Sequence, residues 1–267
     1  MKTDADFIAD HLLHRLYRLQ QAHRHIPPQL MAEVARESGL PVSQVAAVVN
    51  FYAFLYQQPV GRYHVLFSNC TSCGYQAGAV NLLALLCRQL NITPGQTRTD
   101  GVVSVDETSC IGMCDHGPSM LVNGVPIVNL DADRIRQLCN LITAEQSLDD
   151  WPADWFRINN HIRKPDLLLN APLECGDSLK KALAGDALRM LESIMQSGLR
   201  GRGGAGFATG KKWLFCREAE GDTRYVVCNA DEGEPGTFKD RVLLQCHADA
   251  LFEGMTLCAY GIGAKKG

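Results

Sequence analysis

The stretch Cys110-Ile-Gly-Met-Cys114-Asp-His-Gly-Pro-Ser-Met120-Leu-Val-Asn-Gly-Val-Pro-Ile-Val128 carries the two signals on which the reading of the fold turns. In its second half, Asn123-Gly124 separates two short apolar runs, 120–122 and 125–128. Asn-Gly suits the two-residue turn of a β-hairpin, where both turn residues need a positive φ. In its first half, two cysteines enclose three residues, just after the strand-like run 102–105. A strand end followed by a short loop is a natural place for metal ligands, because the strand is rigid and the loop can bend around an ion.

Working outward, the run 64–67 reads as another strand, and 78–90 as a helix with one apolar face. Asp131 can cap a last helix reaching Ile142. The order β-α-β-β-α, with a crossover helix and a terminal hairpin, fits a small thioredoxin-like sheet. Upstream, Ile8, Leu12, Leu16 and Leu19 recur at helical spacing over 4–22, and His25-Ile-Pro-Pro28 breaks the pattern. Pro28 suits the first turn of a second helix that Gly39 ends, and a third runs over 42–55. Residues 1–58 therefore read as a small helical bundle and 59–145 as the sheet domain. Residues 146–178, with Pro152, Pro165 and Pro172, read as a connector. A helix is expected over 178–197, a strand over 224–227 and a helix over 251–260, in a further α/β region spanning 179–267.

Composition bounds the function. The 267 residues have a formal net charge of −3, so nucleic acid is not the obvious partner. No apolar run reaches the roughly 18 residues of a membrane span. The first ten residues carry acids where a secretory leader needs a basic region, so the chain is assigned to the cytoplasm. Eleven cysteines in such a chain point to thiols and metal ligands rather than a disulfide framework.

Cys70-Thr-Ser-Cys73 and Cys110-Ile-Gly-Met-Cys114 each follow an expected strand. Four thiolates there suit a [2Fe–2S] cluster or zinc, and unligated thiols are the third reading. Cys87, Cys139, Cys216, Cys246 and Cys258 lie in helical or apolar segments and read as packed thiols. The segments His25-Ile-Pro-Pro, Asn50-Phe-Tyr-Ala-Phe, Gly74-Tyr-Gln-Ala and Cys110-Ile-Gly-Met-Cys114 resemble the small iron–sulfur subunit of respiratory complex I. The resemblance implies a helical N-terminus and a thioredoxin-like [2Fe–2S] domain, with Cys70, Cys73, Cys110 and Cys114 as ligands. The second pair matches the family spacing. The first is shorter: the family's first cysteine falls on Ser68, leaving either a compressed Cys70/Cys73 pair or a fold that has lost its cluster.

A second constellation is Leu199-Arg-Gly-Arg-Gly-Gly-Ala-Gly-Phe-Ala-Thr-Gly-Lys-Lys-Trp213. Its glycines let the backbone turn sharply and come close to a ligand, and successive N–H groups can cradle a phosphate. Lys212 adds a positive charge. No strand precedes it, so it is not the Rossmann fingerprint. Past the expected strand comes Cys228-Asn-Ala-Asp-Glu-Gly-Glu-Pro-Gly-Thr-Phe-Lys-Asp-Arg241, with its acids where α/β proteins place ligand groups.

Together these two segments resemble the NADH-binding flavin subunit of complex I. The order of the two modules in one chain is similar to the flavin-containing diaphorase subunit of soluble NAD-reducing hydrogenases. The resemblance implies FMN, NAD(H) and partner iron–sulfur and catalytic subunits. It implies a cofactor-binding loop of Gly201, Arg202, Gly203, Gly204, Ala205, Gly206 and Phe207. Gly201, Gly203, Lys212, Asn229, Asp231 and Glu232 fall on the FMN side. Gly204, Phe207, Phe215 and Glu234 fall on the NADH side, with Glu234 shaping the nicotinamide pocket. That family continues well past this point into a [4Fe–4S] domain, so the chain reads as a front portion with part of the flavin pocket. Complex I-type and formate dehydrogenase subunits are alternative homes, and a non-catalytic docking module is an alternative role.

Overall fold

The computed structural model describes residues 11–72, 79–165, 169 and 174–267. They form two compact units, Met1–Ile158 and Asn159–Gly267. Ile8, Cys73 and Gly74-Tyr-Gln-Ala lie outside the described residues.

The first unit opens with helices α1 (Leu12–His23), α2 (Pro28–Ser38) and α3 (Val42–Phe51). Their apolar stripes meet in one cluster of Leu16, Ile26, Met31, Val34, Val45, Val49 and Leu55. Pro28 sits at the helix start, where its missing N–H costs nothing, and Gly39 closes α2 at φ +64°. The third helix ends four residues before the expected Leu55, because Tyr52 turns to an extended backbone.

The sheet follows: β1 (Tyr63–Ser68), β2 (Gln96–Thr97), β3 (Val103–Thr108), β4 (Met120–Val122) and β5 (Val125–Ile127), in the order β2-β3-β1-β4-β5. Strands β1 and β3 are parallel, in register from Tyr63 with Val103 to Ser68 with Thr108. Helix α4 (Ala79–Leu90) makes the crossover between them, and α5 (Ala132–Thr143) follows the hairpin. Asp131 caps α5 by accepting the Arg134 N–H at 2.7 Å. Asn123 and Gly124 both have positive φ, as the hairpin turn requires. The sequence pattern does not predict two-residue β2; it carries no apolar alternation of its own and exists through its pairing with β3.

Alternation along the strands puts Tyr63, Val65, Phe67, Val103, Val105, Met120, Val122 and Ile127 in one buried core with residues of α4 and α5. Trp151 and Trp155, only 4% and 3% exposed, complete this core from the stretch read as connector. They are carried by two short 3₁₀ turns, Leu148–Asp150 and Ala153–Phe156. At the junction of bundle and sheet, Gly61 passes so close to Val103 that a Cβ would lie 2.5 Å from the Val103 carbonyl carbon.

The regular elements described in the second unit are helices, α6 (Asp177–Leu183), α7 (Ala187–Gln196), α8 (Thr209–Glu218), α9 (Lys239–Cys246) and α10 (Ala248–Ile262). The single helix expected over 178–197 is broken at Gly185, and Asp186 caps a new start by accepting the Leu188 N–H at 3.0 Å. The strand expected at 224–227 is reduced to one bridge, Tyr225 with Lys266, because the segment finds no other extended neighbour among the described residues. Helices α8 and α9 are not foreshadowed by a sequence signal.

Candidate functional site

Parallel pairing decides the first site. Because β1 and β3 are neighbours running the same way, their following loops leave from the same end of the sheet. Cys70 lies just past β1, and Cys110 and Cys114 just past β3. The three sulfurs all lie within 4.8 Å of one another. The Cys110 and Cys114 Sγ atoms are 3.3 Å apart, and the Gly112 N–H points at the Cys110 sulfur at 3.4 Å. Gly112 turns there with φ +78°. Cys70 and Cys114 are buried and Cys110 is half-buried. Burial, followed by the neighbouring Cys114 and Cys70, pushes the Cys110 thiol up to about 12. A metal bound at this sulfur therefore displaces a firmly held proton.

Ser68 is the last residue of β1, just ahead of the shortened first loop. It is 1% exposed, and its hydroxyl donates to the Ser109 carbonyl at 3.3 Å. Cys70, by contrast, turns its sulfur to the other pair. Converging thiols with an amide aimed at one of them are a donor set that suits a [2Fe–2S] cluster. Of the other thiols read as packed, Cys139 is buried and Cys87, Cys216 and Cys258 are half-buried, but Cys246 is exposed. It stands at the last position of α9, where Asn160 donates to its sulfur at 3.6 Å.

The glycine-rich run forms a tight loop closed at its base. The Gly201 N–H donates to the Phe207 carbonyl at 2.8 Å, and the Thr209 N–H to the Leu199 carbonyl at 2.9 Å. Between these, Gly204 and Gly206 take φ of +110° and +62°. A Cβ at Gly203, Gly204 or Gly206 would meet nothing within 4 Å, so the loop faces open space. Phe207 and Phe215 lie beside it, 47% and 52% exposed, with ring centroids 6.4 Å apart. Lys211, rather than Lys212, stands over the Phe215 ring, at 5.5 Å. Arg202 and Ala205 are exposed in the loop, and Lys212 is exposed in the first turn of α8.

In the acidic segment, the Asn229 side chain accepts the Asp231 N–H at 3.2 Å, forming a local turn. Asp231 and Glu234 are exposed. Glu232 is different. Its side chain is only 9% exposed, and its two oxygens accept the N–H groups of Asp240 at 2.6 Å and Arg241 at 3.0 Å. These are otherwise orphan donors in the first turn of α9. Glu232 thus caps a helix seven residues ahead of it, from a backbone at φ +49°. No local sequence signal announces so distant a cap. Arg224, which sequence reasoning also overlooks, closes the C-terminus of α8 by donating to the carbonyls of Cys216, Arg217 and Ala219.

Residues 3–143 match the family described as the thioredoxin-like [2Fe-2S] ferredoxin. The chain belongs to the thioredoxin-like [2Fe-2S] ferredoxin family. Beyond the ferredoxin part, residues 194–267 match the Nuo51 FMN-binding domain, a stretch that holds both the glycine-rich loop and the acidic segment. Among curated proteins, the chain is similar to the NAD-reducing hydrogenase HoxS subunit alpha of Cupriavidus necator. The two are 33% identical over 96% of this chain and 44% of that protein. It is also similar to an NADH-quinone oxidoreductase subunit of Rhizobium meliloti, at 44% identity over 38% of this chain and 27% of that one. Among solved structures, an NAD+-reducing [NiFe]-hydrogenase in the H2-reduced state superposes with a TM-score of 0.82 at 41% identity. That match covers 93% of this chain and 44% of the other. The ferredoxin and Nuo51 matches follow one another in the order read from the sequence. The chain spans less than half the length of the hydrogenase subunit it resembles. Among the described residues, no helix is long and apolar enough to cross a membrane.

Proposed function

We propose that this chain belongs to a diaphorase subunit, an NADH:acceptor oxidoreductase component working in a multisubunit complex of the NAD-reducing hydrogenase kind. The observation that carries the reading is the convergence of Cys70, Cys110 and Cys114 at one end of the ferredoxin sheet, in a chain that continues into a Nuo51 segment. Similarity to the hydrogenase subunit along nearly the whole chain supports hydrogenase over the quinone-linked relatives, whose likeness covers a third or so of it. None of the ten described cysteines is joined in a disulfide, which accords with a cytoplasmic home.

In this reading Cys70, Cys110 and Cys114, with Cys73, hold the [2Fe–2S] cluster. FMN and the cluster, when bound, supply hydride acceptance from NADH and one-electron transfer, which no side chain provides. The residues of this chain position and select. The open backbone of Gly201, Arg202, Gly203, Gly204, Ala205 and Gly206 lets a phosphate approach its N–H groups. Lys212 and Asn229 hold the FMN side, with Asp231 beside them. Phe207 and Phe215 offer exposed faces to an adenine ring. Glu234 shapes the nicotinamide side by its charge.

The test uses the full-length protein, purified anaerobically with FMN and assayed for NADH-dependent dye reduction. Turnover is expected there and not from the 267 residues alone. Glu234→Gln is expected to change KM for NADH more than FMN retention, and Lys212→Ala or Asn229→Ala to loosen FMN. Loss of FMN in Glu234→Gln with normal retention in the other two would overturn the assignment.

A further inference from the structure

Helix α1 uses two of its faces. Leu16 and its apolar neighbours enter the bundle core, while Tyr17, Gln20, Gln21 and Arg24, at i, i+3, i+4 and i+7, form a second stripe. This stripe lines a cleft of about 560 Å³, within the range of small-molecule sites, that the electron-transfer reading leaves unused. The register partners Leu66 on β1 and Leu121 on β4 line it from the sheet. Tyr17 and Phe54 meet edge to face at 5.9 Å and are 46% and 40% exposed, so they hold ring surface open to a ligand.

The donors of the lining select the ligand. Gln20 is only 6% exposed, and its Oε1 accepts the Tyr56 N–H at 2.9 Å. A backbone N–H can only donate, so this bond fixes the amide with its oxygen toward Tyr56. The amide nitrogen is left with no acceptor among the described residues. A largely buried amide in that state calls for a partner. Arg24 is anchored through one nitrogen. Its Nη2 donates to the carbonyls of Gly61 and Arg62, the second at 3.0 Å, while Nη1 and Nε have no partner among the described residues. A guanidinium held at one corner keeps its charge in place with donors to spare.

Charge narrows the class further. The described lining carries two arginines and no acid. Arg62 already shares Glu145, at 2.6 Å, whereas Arg24 makes no ion pair among the described residues. Asp106, the register partner of Leu66, is not part of the lining, and its carboxylate accepts the Glu107 N–H at 2.8 Å. One unanswered cation beside an amide donor and a pair of open rings is the complement of a singly charged carboxylate on a flat apolar body.

We propose that this cleft binds an aromatic carboxylate, its carboxylate between Arg24 and the Gln20 amide and its ring against Tyr17 and Phe54. Every residue involved belongs to the first unit, so this site can fail without the diaphorase reading failing, and the reverse. The isotope-labelled full chain is titrated with 2-naphthoate, with 2-naphthamide as a neutral body of the same shape, and with acetate as the charge without the ring. Nuclear magnetic resonance follows the Gln20 side-chain amide, the Arg24 Nε–H and the backbone amides of Leu66 and Leu121. Saturable shifts at these positions are expected with 2-naphthoate, which should bind at least roughly tenfold more tightly than either comparison compound and weaken as salt is raised. Gln20→Glu keeps an oxygen for the Tyr56 N–H but puts a like charge where the donor stood, so naphthoate binding should be lost. Tyr17→Ala changes an exposed ring and should weaken naphthoate by roughly tenfold with the β1 amides in place. No saturable shift in the wild-type chain, naphthamide binding as tightly as naphthoate, unchanged naphthoate affinity in both variants, or shifts confined to the loop beside Phe207 and Phe215 would each overturn the proposal.

Discussion

The Sγ atoms of Cys110 and Cys114 stand 3.3 Å apart in a loop held by its own Gly112 amide, and Cys70 reaches them from the next strand. These thiols are brought together by the fold, so loss of one should impair iron retention without unfolding the sheet. After anaerobic reconstitution of the full chain, Cys110→Ser and Cys114→Ser are expected to lower iron and sulfide content and weaken the EPR signal of the reduced protein. Cys70→Ala should do the same, whereas Ser68→Ala, whose hydroxyl answers Ser109, should leave iron content near wild type. Full occupancy in Cys70→Ala and loss in Ser68→Ala would reverse the ligand assignment.

Glu232 satisfies two helix-start amides with one buried carboxylate. Replacing it by alanine orphans both, at a cost of about 1–2 kcal/mol by the usual scale of lost caps. Hydrogen exchange over residues 239–246 should accelerate in Glu232→Ala and less so in Glu232→Gln, which keeps one acceptor. Unchanged exchange in both variants would show that α9 does not depend on this cap.

Trp151 packs against Tyr63 with ring centroids 6.1 Å apart and nearly parallel, and donates its indole N–H to the Gln146 carbonyl at 3.3 Å. Trp151→Ala should therefore destabilise the first unit by roughly 3–5 kcal/mol, as large aromatic truncations in cores do. Amide protection of β1 and β3 in increasing urea would measure it. A shift of only a few tenths of a kcal/mol would mean that the residues after α5 are an accessory to this core.

Burial lowers the His64 pKa from 6.5 to about 4, against a smaller opposing pull from Asp106 and with a further push from Arg24. The folded state thus keeps the ring neutral at a pH where the unfolded chain protonates it. Its stability is full above about pH 6.5 and is lost as pH falls toward 4, by up to roughly 3 kcal/mol. Protection of β1 should fall over that window in the wild type and more shallowly in His64→Phe. Equal slopes would assign the loss to other groups.

Much of the ferredoxin unit is legible in the sequence because its signals are local. Gly39 and Asp131 mark helix ends by their own backbone needs, and Asn123-Gly124 marks a turn by the φ it demands. The features that stay hidden depend on distant partners. Strand β2 is defined by β3, Trp151 and Trp155 by a core whose first strand lies far back in the chain, and the Glu232 cap by a helix that starts seven positions on. The same holds for the candidate metal site. Spacing alone leaves Ser68 and Cys70 as rivals, and the fold beyond β1 is what brings Cys70 within reach of Cys110 and Cys114.

The in-register pairing of β1 with β3 also sets a condition on assembly. Each residue of a strand advances about 3.3 Å, so a slip by one position would displace one cysteine loop against the other by more than half the span that now encloses all three sulfurs. It would also turn Val65 and Val105 to the wrong faces. A chain paired out of step would hold its thiols too far apart to share an ion. The end-to-end register of these two strands is thus what fixes the distance between the loops that carry Cys70 and the Cys110/Cys114 pair.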